Sequence, residues 1–136
     1  MPKKNRRREL VKTIQLGDAE KIEGPGYILH RMLNPATVGS KNFMSFVVEV
    51  QPGGAIPEHT HGPAEVGLHI LQGKAAVAID GQERLAEAGT AVHVPVGGTI
   101  GLTNVAAERL QFIAVLSPPI SVSVCPVCGI EARELE

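Results

Sequence analysis

The sequence predicts an all-β domain, either a small closed barrel or a two-sheet jelly roll. Three observations predict it. Short runs of Val, Ile and Leu recur along the chain, and 15 Gly and 10 Pro break them at close intervals, as in sandwiches and barrels. No segment carries a helix-period apolar stripe of ordinary length. With no Trp, three Phe and one Tyr, the core has to be aliphatic, which suits β-branched strands.

The elements follow in order. Residues 1–9, with Lys3, Lys4, Arg6, Arg7 and Arg8, read as a frayed basic terminus. Leu10 to Leu16 is a short arm or edge strand. Tyr27 to Leu33 is a strand between Gly24-Pro25-Gly26 and Asn34-Pro35, and 34–42 is a loop. Phe43 to Val50 is a strong strand, stopped by Pro52-Gly53-Gly54. Ala55 to His61 is extended, and its internal Pro57 confines it to a sheet edge or a bulge. Val66 to Leu71 and Lys74 to Ile79 are strands, and Asp80-Gly81 turns the second back into Gln82 to Leu85. Ala91 to Val94, Thr99 to Asn104 and Leu110 to Leu116 complete the core. Ile120 to Val124 alternates apolar residues with Ser and reads as one more edge strand. About nine short strands in one chain should close on themselves or stack as two sheets.

The 136 residues suit one domain, with a barrel core over about 42–117 and a tail over 118–136. Lys and Arg number 13 against 14 Asp and Glu, a net charge of −1. That balance gives no basis for nucleic-acid binding. No apolar run approaches the ~18–20 residues that span a bilayer, and the basic start leads into no signal-peptide core. A cytoplasmic protein is expected.

The richest stretch runs from Gly53 to Gly73. His59 and His61 are two apart, so on an extended segment both point to one face and can converge on one cation. Gly62-Pro63 can turn the chain so that Glu65 returns across the same pocket. Two imidazoles and a carboxylate suit Fe(II), with Mn, Ni and Zn also compatible.

These residues resemble the cupin family. The first cupin motif is Gly, five residues, His-x-His, three or four residues, Glu, six residues, Gly; here Gly53, His59-Thr60-His61, Glu65 and Gly73 follow it, with seven residues in the last gap. The second is Gly, five residues, Pro, one residue, Gly, two residues, His, three residues, Asn; here Gly89, Pro95, Gly97, Ile100 and Asn104 follow it. The resemblance covers roughly residues 42–117 and implies a double-stranded β-helix with a divalent metal at its mouth. Two departures stand out. A β-bulge at Gly67 would absorb the extra residue and keep Glu65 inward; otherwise Val66 takes the Glu place. Ile100 replaces the fourth ligand of the family pattern. His69 and His93 are candidates to replace it, although a bulge at Gly67 would turn His69 outward. His30 reads as a hydrogen-bonded core or surface residue.

Cys125-Pro126-Val127-Cys128-Gly129 has the form of a zinc knuckle. A structural zinc needs four ligands, so a symmetric homodimer giving two cysteines per subunit is one solution. A redox dithiol is another, and an idle tail a third. For function, the resemblance implies a metal-dependent enzyme on a small molecule, of dioxygenase, decarboxylase or isomerase type, with Glu65 as the candidate general base. The loss of the fourth His and the apolar Ile100 favour instead a binding or sensing module without turnover. An assembly protein with a degenerate site is the remaining reading.

Overall fold

A computed structural model describes residues 11–135 of the chain. The basic cluster of residues 1–9, and Leu10 of the expected arm, lie outside the described residues. Ten strands form two antiparallel sheets. They are β1 (Glu20–Gly24), β2 (Tyr27–Arg31), β3 (Met44–Val50), β4 (Ala55–Thr60), β5 (Glu65–Gln72), β6 (Lys74–Ile79), β7 (Gln82–Glu87), β8 (Ala91–Val94), β9 (Thr99–Asn104) and β10 (Leu110–Ser117). The larger sheet has the order β1-β2-β3-β10-β5-β8 and the smaller β4-β9-β6-β7. The expected all-β, jelly-roll architecture is what the chain adopts.

Strand periodicity explains the core. In β3 every second residue, Met44, Phe46, Val48 and Val50, is buried, and its partner β10 contributes Leu110, Phe112, Ala114 and Leu116. Val66, Leu68 and Ile70 of β5 extend the same face. Ile100 and Leu102 of β9 and Val77 of β6 face them from the smaller sheet. The inward face of each sheet is thus mainly aliphatic, as the composition requires, with the two Phe and His59 as exceptions. Asp80 and Gly81 both have positive φ, 49° and 81°, which makes the β6–β7 connection the tight hairpin that Asp-Gly specifies. Asn104, the Asn of the second motif, is buried and donates from Nδ2 to the carbonyls of Val50 (3.0 Å) and Glu108 (2.8 Å). It ties the loop after β9 to the end of β3.

Three expectations differ from the structure. Residues 11–15 form no strand and lead into a 3-10 turn at Leu16–Asp18. The segment expected to be a loop holds a one-turn helix, Pro35–Val38. Asn34 caps it, accepting from the N–H groups of Ala36 and Thr37, and Gly39 ends it in the left-handed region. Ile120 to Val124 forms no strand; a single bridge joins Ser121 to Ile130 and closes a loop instead. That loop sets the character of the site.

Candidate metal centre

The site begins with an irregularity in β4. Ile56 faces Leu102 and His59 faces Ile100, so three steps along β4 oppose two along β9. The extra residue is a β-bulge across Pro57–Glu58, and it shifts the side-chain alternation by one. Ile56 stays inside, Glu58 turns out, and His59 and His61 turn in. Pro57 fits because β4 is the edge strand of its sheet. Gly101, between Ile100 and Leu102, makes room for the bulge: a Cβ there would lie 2.8–3.1 Å from atoms of Glu58.

A second bulge decides the fate of Glu65. β5 pairs without interruption with β10 from Glu65 to Ile70, and the extra residue falls at Leu71, between the Gln111–Gln72 and Phe112–Ile70 pairs. The bulge expected at Gly67 is therefore not there. Val66 faces inward in the place where the family pattern has its carboxylate, and Glu65 lies on the outer face. Its Oε2 accepts from His93 Nε2 at 2.5 Å, with both side chains more than half exposed. His69 is exposed on the same outer face. Neither Glu65, His69 nor His93 is brought to the histidine pair. His30 is buried and donates from Nε2 to Glu49 at 2.7 Å.

The C-terminal cysteines do reach the pair. The loop Ile120–Ile130 folds over the mouth of the barrel and brings Cys125 and Cys128 to His59 and His61. One ligand atom from each of the four lies within 4.8 Å of every other. Cys128 Sγ is 3.4 Å from His61 Nε2 and 3.8 Å from His59 Nε2. In a tetrahedral zinc site with Zn–S of ~2.3 Å and Zn–N of ~2.0–2.1 Å, adjacent S and N atoms lie about 3.5–3.6 Å apart. The observed separations bracket that edge, so the four residues fit a four-coordinate ion. All four come from one chain, and the centre needs no second subunit.

The surroundings prepare these groups for ligation. His59 Nδ1–H donates to the carbonyl of Pro57 at 2.8 Å, which leaves the Nε2 lone pair free toward the cysteines. The two imidazoles meet edge to face, with centroids 4.6 Å apart and planes at 65°. Burial, with the charge of His59 adding to it, holds the pKa of His61 down at about 4, so its ring is neutral at physiological pH. A hydrogen bond from the Cys128 thiol is the main cause that brings Cys125 down to about 6, and burial opposes it. Cys128, as the thiol that donates this bond and is itself buried, is pushed up. Cys125 is thus the more acidic of the two thiols. The Cys128 N–H also points at Cys125 Sγ, at 3.3 Å, as in a zinc knuckle.

The loop fits closely. Arg31 of β2 donates from Nη2 to the Gly129 carbonyl at 2.6 Å. A Cβ on Gly129 would run into the Ser121 backbone, and one on Gly62 would lie 2.7 Å from Val124 Cγ1. Beneath the four ligands is a small cavity of ≈40 Å³, bounded by residues such as Phe46, Val66, Ile100 and Leu102, with Val127 and Cys128 above.

The sequence model of the Cupin domain family matches residues 46–116, more than half of the chain. The chain is a cupin. Among curated proteins, this cupin is 25% identical over 107 residues to polyketide synthase CurC of Streptomyces cyaneus, covering 79% of this chain and 70% of that one. Among solved structures it is similar to the polyketide cyclase RemF of Streptomyces resistomycificus (TM-score 0.66, 22% identity, 80% of this chain and 82% of that one). It is also similar to a Thermotoga maritima protein described as a predicted oxalate decarboxylase (TM-score 0.67, 18% identity, 76% and 96%). No helix among the described residues is long and apolar enough to cross a membrane.

Sequence reasoning kept the barrel site and the tail apart. A signal for joining them was present. The barrel motif lacks donors at Val66 and Ile100, and the tail holds two cysteines without partners; two histidines and two cysteines make one complete set.

Proposed function

We propose that this cupin is a zinc-binding protein whose centre, held by His59, His61, Cys125 and Cys128, governs the access of a small, mainly apolar molecule to the barrel. The observation that carries the reading is the convergence of those four side chains, one ligand atom of each within 4.8 Å of the others and Cys128 Sγ 3.4 and 3.8 Å from the two imidazoles. Of the metals compatible with two histidines, a pair of thiolates favours zinc over Mn or Mg-like ions. When bound, the ion supplies Lewis acidity that can polarise a carbonyl or carboxylate oxygen. The chain's own residues set the substrate class. Ile100, Leu102, Phe46 and Val66 offer a small dianion such as oxalate no counter-charge, and burying it there is costly. An uncharged, mainly apolar molecule suits this wall better.

The closed ligand set favours a second reading. Four protein ligands are the mark of structural zinc, whereas catalytic sites keep a position open. On that reading the protein binds or senses its ligand without turnover.

Cobalt(II)-substituted protein separates these readings. The proposal predicts a thiolate-to-cobalt charge-transfer band and the intense visible bands of a tetrahedral ion. Added 2-acetylnaphthalene, an apolar ketone, shifts the visible bands only if the ion keeps a position open to a ligand, as catalysis requires. Unchanged bands support the non-catalytic reading. Absence of the charge-transfer band overturns the centre itself.

A further inference from the structure

The cavity under the centre is lined by barrel side chains and, from the tail, by Val127 and Cys128. At ≈40 Å³ it has room for a few waters at most, whereas small-molecule pockets run to ~300 Å³ or more. An organic ligand enters only if the tail lining moves.

The loop that supplies this lining is held unevenly. Its base is fixed. Ile120 and Ile130 are buried, Ile130 N–H donates to the Ile120 carbonyl (3.0 Å), and Val122 N–H donates to the Ile130 carbonyl (2.8 Å). Arg31 holds the Gly129 carbonyl, and the Ile120 N–H points at Met44 Sδ at 3.3 Å. The tip is different. Among the described residues, the backbone hydrogen bonds of residues 124–128 all stay within the loop. The polar tie from the tip to the barrel is Cys128 Sγ against the two imidazoles. Apart from packing by the half-buried Val124 and Val127, the ligand cluster alone holds the tip down.

We infer that residues 124–128 are a metal-locked lid: ion binding at the four-ligand centre seals the barrel, and ion loss frees the tip to swing on its fixed base and admit an uncharged apolar molecule. This rests on the zinc-centre reading above. The ligand class follows from the wall, where a charged group would be stranded without a partner. The pinned base keeps the loop attached while the tip moves, as in other lids that pivot on a few terminal residues.

The test uses the full chain, zinc-loaded and chelator-stripped, with zinc content measured on the same samples. The probe is N-phenyl-1-naphthylamine, an uncharged aromatic dye that fluoresces when sheltered from water. Stripped protein should bind it about tenfold or more tightly than loaded protein. Hydrogen exchange should rise in 124–128 on stripping while the pinned base of the loop and β3, β5 and β10 stay protected. Cys125→Ser/Cys128→Ser protein should bind the dye as stripped protein does, with or without added zinc. Equal dye affinity in the loaded and stripped states overturns the lid. So does an exchange increase spread through the barrel strands, which would make the ion a holder of the fold. Wild-type protein that takes up no zinc fails the centre first and the lid with it, and the zinc assay identifies that case.

Discussion

Val66 and Ile100 stand at the two barrel positions where the cupin pattern has a carboxylate and an imidazole, and Cys125 and Cys128 meet the histidine pair from the tail. At this scale the account separates Glu65 from the centre sharply. Glu65→Gln should leave zinc content unchanged and cost at most about 0.5 kcal/mol, because its pair with His93 is exposed and solvent-screened. His61→Ala should lower zinc affinity by at least about a hundredfold, read by chelator competition. The low pKa of His61 also has a signed consequence. On acidification the unfolded chain takes up this proton near 6.5, and the folded chain only near 4. Between those values the unfolded state binds more protons, so metal-free protein loses stability as pH falls through that window. Urea midpoints should drop from pH 6.5 toward pH 4, and less so in His61→Gln. An equal drop in both proteins would assign the effect to another group.

Strand by strand, legibility in the sequence tracked burial. β3 and β10 could be read because each buries one full face, so their alternation is complete. β1 could not: in Glu-Lys-Ile-Glu-Gly only Ile22 and Gly24 are half-buried, and an edge strand of charged residues carries no period. Ile120 to Val124 misled for the converse reason. Ile120 is buried and Val122 and Val124 half-buried without being paired in a sheet, yet the three alternate with Ser as a strand would. The bulges were legible only as a need for one extra residue. Whether it fell at Gly67 or Leu71 depends on partners in β10, which local sequence does not show. The β4 bulge is directly testable through Gly101. Gly101→Val would press on Glu58, and overpacking of this kind costs about 1–3 kcal/mol. It should also weaken zinc binding, because the same bulge aims His59. A loss of stability with zinc affinity unchanged would separate the bulge from the site.

Taken whole, the molecule joins two segments that are 69 residues apart in sequence, His59 in β4 and Cys128 in the tail. The barrel brings them together because β10 delivers the chain to the mouth that β4 borders, and the loop Ile120–Ile130 then folds across it. The fold class and the histidine half of the centre could be read from the sequence, since both rest on short-range patterns. The cysteine half showed only as a matching shortage of ligands, because its placement depends on where β10, far downstream of the histidines, releases the chain. A single centre spanning both segments is the central claim. It is tested most directly by elemental analysis of untagged wild-type protein beside His59→Ala/His61→Ala and Cys125→Ser/Cys128→Ser. The account predicts about one zinc per wild-type chain and its loss from both double variants. Zinc that survives removal of either pair would contradict it.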